Sequence, residues 1–128
     1  MSETNQKILI VDDDKFLVDM YSIKFTESDY EVATAFSAKD ALRLADEGLA
    51  PDICLVDIIM PSMDGFELVA ELKTRELFKN TIIIFLTNLG QQSDIDRGLE
   101  LGADGYIVKA SATPSEVVVK VADIVKHK

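Results

Sequence analysis

A single cysteine, Cys54, leaves the 128-residue chain without a mate for an intrachain disulfide, and its place inside the apolar run Ile53-Cys54-Leu55-Val56 marks it as core filler. Basic residues are also scarce. Thirteen Lys and Arg against twenty-three Asp and Glu leave a formal charge of -10, which argues against direct binding to a nucleic-acid backbone or to an anionic membrane surface. Partners should be proteins or cations. No apolar stretch approaches the roughly 20 residues that span a bilayer, and the start of the chain, positions 1–6, is a polar extension. The expectation is cytoplasmic residence without membrane insertion. Neither G-x-x-x-x-G-K-[ST] nor G-x-G-x-x-G occurs, so nucleotide hydrolysis lacks its usual parts. The one histidine, His127, sits in the basic tail 126–128 and reads as solvated, not as a relay histidine.

With 48% apolar residues and no repeat, low-complexity tract or Pro/Gly/Ser-rich linker, the chain reads as one domain over 1–128 with a real core. Strand-like and helix-like segments alternate throughout. Lys7 to Val11 reads as the first strand, and Asp14 can cap a helix whose apolar face holds Phe16, Leu17, Met20, Tyr21 and Phe25. Glu31 to Ala35 alternates polar and apolar residues, as an edge strand does; the other strands are continuously apolar, as parallel strands covered on both faces are. Ser37 with Asp40 opens the second helix and Gly48 closes it. Asp52 to Val56 is the third strand, Asp64 begins a helix carrying Phe66, Leu68, Val69 and Leu72, and Thr81 to Leu86 is the fourth strand. A short helix over Asp94 to Leu101 stops at Gly102, and Tyr106 to Val108 is the last strand. Thr113-Pro114-Ser115-Glu116 then opens a final helix with a cap, a first-turn proline and a capping-box glutamate. The pattern predicts an α/β fold, a doubly wound parallel sheet of five strands with helices on both faces.

In such a sheet the carboxyl ends of the strands converge where ligands bind. Asp12, Asp13 and Asp14 follow the first strand, Asp57 the third, Thr87 the fourth and Lys109 the fifth. A phosphate-bearing dinucleotide needs a turn of approachable backbone N–H groups after an early strand, and three carboxylates there would repel it. They suit a hard cation instead: Mg2+ takes carboxylate, water and phosphate oxygens. With a cation in place, an incoming phosphoryl group meets positive charge.

The ordered set Ile10-Val11-Asp12-Asp13-Asp14, Val56-Asp57-Ile58-Ile59-Met60-Pro61-Ser62-Met63-Asp64-Gly65, Leu86-Thr87 and Gly105-Tyr106-Ile107-Val108-Lys109 resembles the receiver domain of bacterial two-component response regulators, in the single-domain form of the chemotaxis regulators. The likeness covers the chain from Lys7 to the last helix. It implies a flavodoxin-like strand order 2-1-3-4-5 and a signalling role, not turnover of external substrates. By the same resemblance, Asp57 is the phosphoacceptor for a histidine kinase or histidine phosphotransfer protein. Asp13, Asp57 and the Ile59 backbone carbonyl ligate Mg2+, with Asp12 acting through a bound water, while Lys109 and Thr87 contact the phosphoryl oxygens. Thr87 and Tyr106 are the switch pair, changing the face of helix four, strand five and helix five for an output protein. The domain is expected to be a monomer or weak dimer that supports its own phosphorylation and autodephosphorylation.

The chain departs from the family pattern in three places. Ala110 replaces the usual proline after Lys109, and the sequence leaves the Lys109–Ala110 peptide open between cis and trans. Asn88 follows Thr87 where a small residue is usual, and Ile59 and Leu89, flanking the reacting group, are both apolar. Two other readings remain beside the phosphoacceptor. A phosphorylation-independent interaction module is disfavoured because the acidic, hydroxyl and lysine set is complete. A Mg2+-dependent phosphatase with Asp57 as nucleophile is disfavoured because Ile59 stands where its general acid would be.

Overall fold

The computed structural model describes residues 5–128, so most of the polar extension at 1–6 lies outside the described residues. Among the described residues five strands alternate with five helices: β1 (Lys7–Val11), α1 (Lys15–Glu27), β2 (Glu31–Ala35), α2 (Ala38–Asp46), β3 (Ile53–Val56), α3 (Gly65–Thr74), β4 (Ile82–Thr87), α4 (Gln92–Glu100), β5 (Gly105–Val108) and α5 (Pro114–Lys126). A 3-10 turn, Lys109–Ser111, joins β5 to α5. All strand pairs are parallel, in the order β2-β1-β3-β4-β5. The expected edge position of the half-exposed β2 and the doubly wound order are both observed.

Side chains alternate across the pleat. Leu9, Val11, Cys54, Val56, Ile83 and Phe85 meet α2 and α3 on one face, whereas Ile8, Ile10, Leu55, Ile84, Leu86 and Ile107 meet α1 and α5 on the other. Both faces are thereby buried, which is why these strands read as unbroken apolar runs.

Helix starts follow local chemistry. Asp14 caps α1 by accepting from the Leu17 backbone N–H at 3.2 Å, and reciprocal capping boxes open α3 (Asp64 with Glu67) and α5 (Thr113 with Glu116). At α2 the Ser37 hydroxyl accepts from the Asp40 N–H, but the Asp40 carboxylate turns to Arg43 and does not close a box. Gly48, just past α2, has φ +106°, a conformation suited to glycine. Helix α4 begins two residues earlier than the expected Asp94, at a terminus whose N-cap Gln91 makes no side-chain bond.

One expectation is corrected. Phe16 does not lie on the buried face of α1: it is 71% exposed, and the buried stripe is Val18, Tyr21 and Phe25. Val18, Tyr21 and Phe25, three and four residues apart, share the helix face that docks on the sheet, and Phe16, two residues before Val18, lies on the opposite side. No helix of the described residues is long and apolar enough to cross a membrane.

Candidate functional site

Sheet register assembles the site. Val11 pairs with Val56, so the residues that follow, Asp12 and Asp57, emerge side by side at the carboxyl edge. Thr87 pairs with Val108, which brings Lys109 beside them from the far side of β4. The Lys109 ammonium lies 2.7 Å from Asp12 Oδ2 and 3.2 Å from Asp57 Oδ2, bridging two buried carboxylates. Thr87 is fully buried, and its hydroxyl accepts from the Leu89 N–H at 3.4 Å. Among the described residues no peptide bond is cis, so Lys109–Ala110 is trans.

The remaining oxygens are held by backbone. Asp57 Oδ1 accepts from the N–H groups of Ile58 at 2.8 Å and Ile59 at 3.4 Å, and Asp12 Oδ1 accepts from the Asp14 N–H at 3.0 Å. These bonds orient the carboxylates before any ligand arrives. Asp12, Asp13 and Asp57 each present one oxygen, all within 4.8 Å of one another, with Asp13 exposed to solvent. The set is all-oxygen, acidic and open on one side, which fits a cation that keeps several of its waters. The surrounding cleft, about 330 Å³, is lined by Asp14, Leu17, Ile59, Asn88 and the acidic and lysine groups already named.

Burial pushes the Asp57 carboxyl above the usual carboxylate range; the Lys109 charge opposes this, Asp12 adds to it, and the Thr87 hydroxyl and Lys109 hydrogen bond oppose it. Burial alone would lower the Lys109 ammonium, but its hydrogen bond to Asp12 and the attraction of Asp57 outweigh that, and its affinity for the proton is raised. Lys109 is therefore a fixed cation. Cys54, fully buried away from the site, has its thiol pushed up to about 12 by desolvation and is inert.

Tyr106 is half-buried, its ring 6.0 Å from that of Phe85 and its hydroxyl donating to the Leu89 carbonyl at 2.6 Å. The two switch candidates thus grip one loop: Thr87 holds the N–H of Leu89 and Tyr106 holds its C=O. Desolvation, with Asp94 and Asp57 adding to it, pushes the Tyr106 phenol up to about 12, so it remains a donor at neutral pH. Ile59 and Asn88 line the cleft, whereas Leu89 is partly buried against the core, its two backbone groups engaged as described. Apart from its place in the quoted motif, Gly65 gave no signal in the sequence. A β-carbon there would lie 2.3 Å from the Asp57 carbonyl oxygen and 2.8 Å from Ile58 Cα, so the first residue of α3 touches the backbone of the acidic loop.

A doubly wound parallel sheet with an aspartate pair, a buried hydroxyl and a lysine at its carboxyl edge defines a receiver-type signalling domain. The chain belongs to that family: residues 8–122 match the model of the response regulator receiver domain. It is 36% identical over 123 residues to the alkaline phosphatase synthesis transcriptional regulatory protein PhoP of Bacillus subtilis, covering 96% of this chain and 50% of that protein. It is likewise 36% identical over 117 residues to the response regulator SaeR of Staphylococcus aureus, covering 91% of this chain and 49% of that one. The chain spans about half the length of these curated relatives. Among solved structures, the chemotaxis response regulator CheY4 of Vibrio cholerae superposes with a TM-score of 0.85 at 30% identity, covering 94% of this chain and 99% of that one.

Proposed function

We propose that Asp57 accepts a phosphoryl group from a phosphohistidine on a histidine kinase or histidine phosphotransfer protein, and that the modified domain presents an altered face of α4, β5 and α5 to an output protein. The observation that carries this reading is the Lys109 ammonium set against two buried carboxylates, one of them Asp57, at the mouth of the sheet. A carboxylate oxygen of Asp57 attacks phosphorus, the P–N bond breaks, and the imidazole leaves. Such a transfer asks a protein for positioning and for neutralisation of charge on the phosphoryl oxygens more than for covalent help. Lys109 supplies a fixed cation, Thr87 a hydroxyl, and the Ile58 and Ile59 N–H groups hold the nucleophile in place. Bound through Asp13, Asp57 and the Ile59 carbonyl, with Asp12 acting through a water, Mg2+ would supply the remaining positive charge.

Thr87 and Tyr106 act as the switch because both hold Leu89; donation by the Thr87 hydroxyl to a phosphoryl oxygen draws its oxygen away from the Leu89 N–H that it accepts from. The output is a shift between two arrangements, and phosphorylation acts only through its different interactions with each. The domain, 1–128, works in the cytoplasm as a monomer or weak dimer, binds no nucleic acid directly, and turns over no external substrate beyond its own phosphorylation and dephosphorylation. A phosphorylation-independent module would have no use for the buried lysine and carboxylate set.

Metal titration tests the reading. Asp13→Ala is expected to weaken Mg2+ binding on the order of tenfold or more, since it removes a ligand, and Asp14→Ala to leave it nearly unchanged, since Asp14 caps α1. Equal losses would contradict the ligand assignment. The lifetime of the acyl phosphate gives a second test. Hydrolysis needs a water in line with phosphorus, and neither Ile59 nor Leu89 can orient one. The wild type is expected to lose its phosphoryl group slowly, so that a partner phosphatase or back-transfer resets it. Ile59→Asn or Leu89→Glu should quicken autodephosphorylation on the order of tenfold. Unchanged rates in both would show that the flanking side chains do not set the lifetime.

A further inference from the structure

Helix α4 belongs to the proposed output face, yet it is weakly held. Gly98 is its only buried residue, Leu99 is largely exposed, and its N-terminus has no side-chain cap. Few buried apolar contacts make an element easy to displace. What it rests on is a row of three aromatic rings. Phe66, at the start of α3, meets Phe85 of β4 edge-on at 5.4 Å, and Phe85 meets Tyr106 of β5 at 6.0 Å. Gly98 lies over the second and third rings: a β-carbon there would be 3.0 Å from Phe85 and 3.2 Å from Tyr106. Over the first ring lies Arg97 of the same helix, its guanidinium carbon 4.3 Å from the Phe66 centroid. Arg97 makes no ion pair among the described residues.

Phe66 is itself tied to the acidic loop. Its neighbour Gly65 donates to the Ile58 carbonyl at 2.9 Å and packs against the Asp57 backbone. We propose that Arg97 is a positioning residue that seats α4 on the face of Phe66, giving the Asp57 loop a second mechanical link to the output face beside the one through Thr87 and Leu89. A guanidinium suits this place because it is planar and stacks on aromatic faces. Displacement of the β3–α3 loop moves Phe66 with Gly65, and Arg97 carries that movement to the middle of α4.

The part of this inference that concerns signalling rests on Asp57 as the phosphoacceptor; the part that concerns the seat does not, and the test reads them separately. Amide exchange across Gln92 to Glu100 is measured in the wild type, Arg97→Met, Arg97→Lys, Phe66→Leu and the Arg97→Met/Phe66→Leu double variant. Arg97→Met keeps the apolar stem and removes the charge, and is expected to speed α4 exchange about two- to fivefold while α5 and the sheet stay unchanged. Arg97→Lys should restore part of the protection, and the double variant should be no faster in α4 than Phe66→Leu. Exchange in Arg97→Met within experimental error of wild type, or additive effects in the double variant, would overturn the seat. The second arm adds Mg2+ and beryllofluoride as a phosphoryl mimic and follows backbone chemical shifts. Shifts at residues 57–59 with a diminished response in α4 of Arg97→Met support the link; an undiminished α4 response overturns it. Absence of any shift at 57–59 in the wild type counts against the phosphoacceptor reading and the link together, while the exchange arm still decides the seat.

Discussion

Gly65→Ala is expected to destabilise the domain by about 3 kcal/mol, the upper range for forcing an added methyl into a packed site, and to disable the acidic loop with it. The added carbon would lie 2.3 Å from the Asp57 carbonyl oxygen and 2.8 Å from Ile58 Cα. Both are backbone atoms, so no rotamer change relieves the contact. Either α3 retreats from the loop, breaking the 2.9 Å bond from the Gly65 N–H to the Ile58 carbonyl, or the loop moves and takes Asp57 away from Lys109. Urea unfolding measures the first effect and Mg2+ affinity the second. A variant within about 1 kcal/mol of wild type with unaltered metal binding would show that the approach of α3 is not a constraint on the site.

Lys109→Ala should cost about 3 kcal/mol at neutral pH in the absence of divalent cation, as expected when one partner is removed from a buried ion pair. Asp12 and Asp57, whose side chains are 3% and 7% exposed, would face each other without a counter-charge. The pH dependence has a definite sign. The Asp57 carboxyl is already raised, chiefly by burial, and removing Lys109 removes a group that opposes the rise. A carboxyl whose folded value exceeds its unfolded one contributes stability below the unfolded value, and that contribution is lost as pH rises through the folded value. The deficit of Lys109→Ala is therefore expected to shrink in acid, where Asp57 is protonated. It should also shrink at neutral pH when Mg2+ is added, because the ion replaces the missing charge. Stability curves of variant and wild type that run parallel across this range, with and without Mg2+, would show that Lys109 does not neutralise the pair.

Much of the fold was legible in local chemistry. Continuous apolar runs such as Ile82 to Leu86 announce strands buried on both faces, and Glu31 to Ala35 announces its edge position by alternating. Thr113 to Glu116 states the start of α5 completely. Where the local code is silent, the reading slips. Helix α4 has no side-chain cap to mark its start, which lies two residues before the Asp94 that the pattern predicts. Phe16 is as apolar as the side chains that α1 buries, and only the docking of α1 on the sheet shows that Val18, Tyr21 and Phe25 are the buried stripe.

The members of the candidate site were readable because each ends a strand or follows one. Their mutual arrangement was not. The sequence cannot show that Lys109 reaches Asp12 more closely than Asp57, because that depends on register across three strands and on the 3-10 turn that follows β5. The two grips on Leu89 were equally hidden, since Thr87 and Tyr106 act there on backbone atoms that carry no sequence signature. Gly65 and Arg97 matter through contacts with the Asp57 loop and Phe66, which only the folded chain creates.

The central claim, that Asp57 is the phosphoacceptor, is tested most directly by the intact mass of the protein after incubation with a small phosphodonor and Mg2+, measured in parallel on Asp57→Asn. The account predicts a gain of one phosphoryl group in the wild type, its absence when Mg2+ is withheld, and no gain in Asp57→Asn. A gain of one phosphoryl group in Asp57→Asn equal to that of the wild type, or none in the wild type with donor and Mg2+ both present, would contradict it.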